Sequence, residues 1–65
     1  MMWVVKRKVR GDYWSVRTES WHHDLRFAST FDNLKSAETA ANKLGGAAPA
    51  RLDFEQKRAE MRGGK

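Results

Sequence analysis

The chain has 65 residues, with 13 lysines and arginines against 8 aspartates and glutamates, so its formal net charge is +5 when the histidines are neutral. A stretch this short forms one small domain rather than a multidomain enzyme, and such a domain buries only roughly 60% of the surface of its unfolded chain. It contains no cysteine, which excludes disulfide frameworks, thiol nucleophiles and cysteine-based zinc sites.

Two runs near the start, residues 3–9 and residues 13–19, have the two-residue period of half-buried strands. Gly11 and Asp12 between them tolerate the backbone angles of a tight turn, so the pattern predicts a hairpin. The residues expected on its core face are Trp3, Val5, Val9, Trp14 and Val16.

A third strand is predicted over residues 25–30, after a polar second turn at residues 20–24. Leu25 and Phe27 lie on its core face, while Arg26 faces the other way. Three such strands in succession make an antiparallel meander.

Helical spacing replaces the two-residue period after Asp32 and Asn33, either of which can cap a helix. The pattern predicts a helix over residues 33–44 that ends at Gly45, because glycine suits the left-handed position after a helix. The apolar positions at helical spacing are Leu34, Ala37, Ala40, Ala41 and Leu44.

The last part of the chain, residues 47–65, is predicted to be a linker followed by a second helix or a mobile tail. The helix is expected over residues 51–62, docking through Leu52 and Phe54 and fraying toward its end. The sequence thus predicts a βββα domain at residues 1–46. The fold class is α+β: a three-stranded antiparallel β-meander packed against one α-helix, with a short C-terminal second helix.

The solvent face of the predicted sheet carries the most informative functional signal. It combines five cations with one aromatic residue, and its only acid is Glu19. Such a surface suits the phosphates of a nucleic acid. The alternative interpretation is that the cations solvate an open sheet face and discourage edge pairing. The candidate nucleic-acid-binding residues are Lys6, Lys8, Arg10, Tyr13, Arg17 and Arg26.

Trp14 in the second strand and the segment Phe31-Asp-Asn-Leu-Lys-Ser-Ala37 at the helix start are the most specific sequence features. Together with the basic sheet face, they make residues 3–44 resemble the arm-binding N-terminal domain of tyrosine-type phage integrases. The pattern also resembles small bacterial domains of unknown function with an alanine-rich closing helix. Because the integrase family reads DNA with its sheet, the resemblance implies DNA binding by the six candidate residues and a phage or mobile-element origin.

Catalysis and metal binding find little support in the sequence. No nucleophile motif, paired carboxylates or glycine-rich phosphate loop is present. His22, His23 and Asp24 are ordinary ligand types, but adjacent residues in an extended segment point to opposite sides, and no further histidine completes a tetrahedral site. We therefore expect a non-enzymatic protein without cofactor or metal.

A protein-interaction module, such as a phage-encoded regulator or inhibitor of a host protein, is the alternative function. Its candidate contact residues are Trp21, Tyr13 and Arg26, because aromatic residues and arginine concentrate at interface hot spots. A homodimer joined through a sheet edge is a third option. No stretch is apolar enough to cross a bilayer, and no signal-peptide pattern is present, so we expect a cytoplasmic protein.

Overall fold

The computed structural model describes residues 2–63, of which residues 62 and 63 are described by their backbone alone. Over this range the fold is α+β, with two helices and a four-stranded antiparallel sheet of order β3-β2-β1-β4. A single 3-10 turn, Leu25–Phe27, follows the third strand. The elements are β1 (Trp3–Arg7), β2 (Tyr13–Ser15), β3 (Ser20–His22), α1 (Leu34–Leu44), β4 (Ala47–Arg51) and α2 (Leu52–Gly63).

Both predicted helices are confirmed. They could be predicted because the residues that start and end a helix lie next to it in the chain. At the start of α1 the side chain of Asn33 accepts a 2.8 Å hydrogen bond from the amide of Ser36. At its end Gly45 has a φ of 78° and donates its amide to the carbonyl of Ala41. Helix α2 begins directly after β4, one residue later than the sequence predicts.

The predicted linker before residue 51 is wrong, because residues 47–51 form the strand β4. It pairs along its length with β1, from Trp3 opposite Arg51 to Arg7 opposite Ala47. Helix α1 runs back along the sheet and brings the chain beside the free edge of β1. Pairing there satisfies backbone groups that a linker would leave to water.

Pro49 lies opposite Val5 in this pairing, in a position that leaves its backbone nitrogen on the outer side of β4. At the two ends of the ladder, Lys8 donates to Gly46 and Leu52 donates to Met2, so it is the even-numbered residues that exchange hydrogen bonds. An odd-numbered proline therefore removes a donor from the outer edge and not from the ladder, which is how natural sheets discourage edge pairing.

The predicted third strand over residues 25–30 is also wrong. Leu25–Phe27 form the 3-10 turn instead, since the side chain of Asp24 accepts the amide of Arg26 and starts a turn. The following extended residues enter a fork between β1 and β2, which share one backbone pair, Lys6 with Tyr13. In the fork, Ser29 donates to Trp14, and Phe31 exchanges two hydrogen bonds with Trp3.

The main core lies between α1 and one face of the sheet. Val5, Ala37, Ala41 and Ala47 are buried there, and bulky aromatic side chains from the sheet surround these small residues. The packing alternates large with small, so the helix approaches the sheet closely. The aromatic residues packed against this core are Trp3, Trp14, Trp21 and Phe31.

Three residues predicted for the core face of the strands are exposed, as is Phe54, through which α2 was expected to dock. Val9 is 91% exposed because β1 ends at Arg7, where the amide of Arg7 bonds to the carbonyl of Asp12 and closes the turn. Val16 lies in the next turn, beyond the end of β2, and Phe27 lies in the 3-10 turn.

None of the helices in residues 2–63 has the length and apolar character that a bilayer crossing requires.

Candidate binding surfaces

The sheet face opposite α1 was predicted to be open, and the structure corrects this because α2 lies across it. Tyr13 is only 5% exposed, and its hydroxyl donates a 2.6 Å hydrogen bond to Oε1 of Glu55. Lys6 Nζ lies 3.1 Å from the same oxygen. Two of the six candidate nucleic-acid-binding residues are therefore engaged by a buried carboxylate of α2.

Glu55 is held in its charged form by these partners. Burial is the largest single effect and raises the pKa of this carboxyl. The hydrogen bonds from Tyr13 and Lys6, with the charges of Lys6 and Arg58, outweigh burial and hold the pKa below its usual 4.5. Arg58 Nη1 lies 3.8 Å from the other oxygen, Oε2. One carboxylate thus compensates two cations beneath and beside α2.

Lys8 and Arg10 lie in the β1–β2 turn rather than in a strand, and both are exposed. The backbone of Lys8 bonds to Gly46, just after α1, so the turn lies at the end of the sheet where α1 ends and Lys43 occupies its last turn. Within residues 2–61 no carboxylate lies within 4 Å of the charged groups of Lys8, Arg10 or Lys43. We call Arg7, Lys8, Arg10 and Lys43 the basic end.

Arg7 connects this basic end to an aromatic surface. Its guanidinium lies over the ring of Trp21, 4.4 Å from the ring centre, in a cation–π arrangement. Its Nη1 is 3.9 Å from Oδ2 of Asp12, a carboxylate buried under the turn. The exposed ring of His23 lies on the other side of that carboxylate, with Nδ1 2.9 Å from Oδ1. Trp21 and Asp12 thus hold the Arg7 side chain from two sides.

Trp14 and Trp21 form a half-buried pair on the α1 side of the sheet. They are cross-strand partners on β2 and β3, with ring centres 5.2 Å apart and ring planes at 61°. Helix α1 packs on β1 and β4, so it leaves the β2–β3 side of this face partly uncovered. This Trp14–Trp21 pair with Arg7 is the aromatic patch.

The remaining candidate residues do not join one surface. Arg17 lies in the β2–β3 turn, at the opposite end of the sheet from Lys8 and Arg10. Arg26 is exposed and forms a bidentate ion pair with Asp24. The side-chain hydrogen bonds from Arg26 lower the pKa of Asp24 to about 2. The proposed protein-binding set is also separated, because Trp21 faces the α1 side while Tyr13 faces α2.

The two histidines have different neighbours. His22 Nε2 lies 2.8 Å from the hydroxyl of Thr18, whereas His23 approaches Asp12. In the part of the chain that the structure describes, no three residues of metal-ligating type come together.

Comparison with known proteins gives no match, whether to family models, to curated proteins or to solved structures. The resemblance to integrase arm-binding domains therefore stays a prediction.

Sequence reasoning missed three members of these surfaces. Arg7 shares the odd-numbered face of β1 with Trp3 and Val5. The two-residue period of the strand could therefore have predicted that it lies on the same side as the tryptophans. Nothing in the local sequence places Lys43 near the β1–β2 turn; only the way the chain folds does so. Glu55 lies on a helix whose apolar stripe is weak, so the sequence gives no signal of which face docks.

Proposed function

We propose that this is a non-enzymatic nucleic-acid-binding protein that makes its contacts through the basic end and the aromatic patch. The observation that carries the proposal is the position of Arg7, whose guanidinium lies over Trp21 and which is followed in the chain by the exposed cations Lys8 and Arg10. Cations that track a phosphate backbone, combined with aromatic or guanidinium planes for stacking, are what single-stranded nucleic-acid sites require.

The distribution of acids supports this location. At the basic end the nearby carboxylate, Asp12, is buried and lies between Arg7 and His23. Glu19, Asp32 and Asp53 are exposed at the opposite end of the sheet, in the β2–β3 turn and before or within the first turn of each helix. Among the described residues, these three exposed acids therefore lie away from the turn that carries Lys8 and Arg10, which favours anion binding at that turn.

The proposed contacts divide into two kinds. Lys8, Arg10 and Lys43 neutralise phosphates, which gives affinity without sequence preference and makes it dependent on salt. The Arg7 guanidinium, which lies over Trp21, offers a surface on which an unpaired base can stack. We expect single strands to bind more tightly than duplexes, because only unpaired bases reach such a surface.

Fluorescence anisotropy of labelled single-stranded DNA, single-stranded RNA and duplex DNA, at low and at physiological salt, tests the proposal. The double reversal Lys8→Glu/Arg10→Glu should abolish binding. The matched control is Arg17→Glu/Lys35→Glu, which changes the net charge equally at the other end of the sheet. Equal losses in both variants would show that only net charge matters, and no binding of any probe at low salt would reject the proposal.

A protein-interaction module is the second candidate, and the aromatic patch is the observation that favours it. Two half-buried tryptophans beside an arginine have the composition of an interface hot spot. If nucleic acid fails to bind, the variant Trp21→Ala, compared with the wild type for capture of a protein partner, becomes the discriminating experiment.

A further inference from the structure

Glu55 occupies a position that an external anion would suit. A hydroxyl donor, Tyr13 Oη, and an ammonium group, Lys6 Nζ, both approach the single oxygen Oε1, at 2.6 Å and 3.1 Å. The arrangement is a buried two-donor anion site, and here a carboxylate of the same chain fills it.

Helix α2 also contacts β4 and the 3-10 turn, and its first amide donates a hydrogen bond to the carbonyl of Met2. Among its described side chains, residues 52–61, Glu55 alone is buried, while Phe54 is 56% and Met61 83% exposed. Leu52 is half-buried at the start of the helix. An external anion that takes the place of Glu55 therefore removes the one buried side-chain contact of α2 within residues 52–61.

Lys6 links this covered site to the basic end. It directly precedes Arg7 in β1, and its aliphatic stem passes the β1–β2 turn, where a Cβ at Gly11 would lie 3.7 Å from Lys6 Cε. A nucleic-acid strand bound at Lys8 and Arg10 therefore has its next phosphates within reach of Lys6 once α2 moves aside.

We propose that Lys6 and Tyr13 form a phosphate site that Glu55 occupies in cis, and that α2 is a cover which a bound nucleic acid displaces. The inference rests on the proposed function, since it adds a second, conditional part to the same binding surface. Displacement frees Lys6 from the carboxylate, so the bound state gains a cationic contact that the covered state lacks. A ligand shifts such an equilibrium only by its differential affinity for the two states.

The cover is tested by Glu55→Gln, with Glu60→Gln as its matched control on the same helix. Both variants lose one negative charge, but Glu60 is exposed and, among the described residues, forms no ion pair with Lys6. For a single-stranded oligonucleotide we expect Glu55→Gln to bind about fivefold more tightly or better, and Glu60→Gln to stay close to the wild type. An equal gain in affinity in both variants would show that only net charge matters and would reject the proposal that α2 is a cover.

Hydrogen exchange of the wild type gives a second readout that needs no variant. The amides of residues 56–61 should exchange faster when the oligonucleotide is bound, while those of α1 stay protected. If the oligonucleotide binds and the α2 amides keep or gain protection, the cover is wrong and the proposed function stands. If neither the wild type nor Glu55→Gln binds the oligonucleotide or inorganic polyphosphate, both proposals are rejected.

Discussion

Tyr13 and Glu55, 42 residues apart in the chain, share the shortest side-chain hydrogen bond between distant elements of this fold within the described residues, at 2.6 Å. The bond joins β2 in the sheet to α2 above it, and Lys6 on β1 joins the same carboxylate. All three groups are largely withdrawn from water. Removing one of them therefore leaves a buried polar group whose lost hydrogen bond water cannot fully replace.

Tyr13→Phe should lower the free energy of unfolding by about 1.5–3 kcal/mol, the range for hydrogen bonds to charged groups. Urea denaturation of the wild type, Tyr13→Phe, Glu55→Gln and the double variant measures the coupling between the two residues. Strict additivity of the two single effects would show that the bond contributes nothing to stability.

Acid should loosen α2 before the rest of the fold. The pKa of Glu55 is lower in the folded chain than its usual 4.5, so its stabilisation is present above about pH 4.5 and is lost as the pH falls through the folded value. The free energy of unfolding, measured in urea at decreasing pH, should fall less steeply in Glu55→Gln than in the wild type. Asp24 also has a lowered pKa, so Asp24→Asn is the control for a carboxylate outside α2.

Pro49→Val should promote self-association. The substitution restores a backbone donor on the outer edge of β4 and introduces a β-branched residue with high strand propensity. Sedimentation velocity should then show a dimer or larger species at concentrations where the wild type sediments as one species. Ala48→Val is the comparison, because the amide of Ala48 already faces β1, and association of that variant alone would contradict the argument.

Asn33→Ala should destabilise the chain by about 1 kcal/mol, because it removes the side-chain acceptor for the amide of Ser36. Asp32→Ala tests the neighbouring residue, which the sequence left equally eligible as the cap and which makes no such bond in the structure. Thermal unfolding of the two variants should give the lower midpoint for Asn33→Ala. The opposite order would move the cap to Asp32.

The helices could be predicted because residues within or next to them determine where they begin and end. Asn33, Gly45 and the acid-rich start of α2 act within one turn of the chain. The strand β4 could not be predicted in this way. Its sequence, Ala-Ala-Pro-Ala-Arg, has little strand propensity, and it is extended because β1 offers a free edge 40 to 48 residues earlier in the chain.

The candidate site was predicted in its composition rather than in its geometry. The alternation that begins at Trp3 continues through Lys8, Val9 and Arg10, although the hydrogen bond from Arg7 to Asp12 has already closed the turn. No sequence period distinguishes a strand from a turn that happens to keep its alternation. The burial of Tyr13 depends on where a helix with a weak apolar stripe docks, which is a tertiary property.

The fork between β1 and β2 has a consequence for how the chain acquires its structure. The first strand can share one backbone pair with its neighbour in the hairpin; its remaining partners are residue 31 on one side and residues 47–51 on the other. An N-terminal fragment therefore cannot complete the sheet by zipping from its turn, and a nascent chain must wait for its fourth strand to leave the ribosome. Such dependence on distant partners slows folding relative to a simple meander. A chain truncated after residue 46 should accordingly fail to unfold cooperatively.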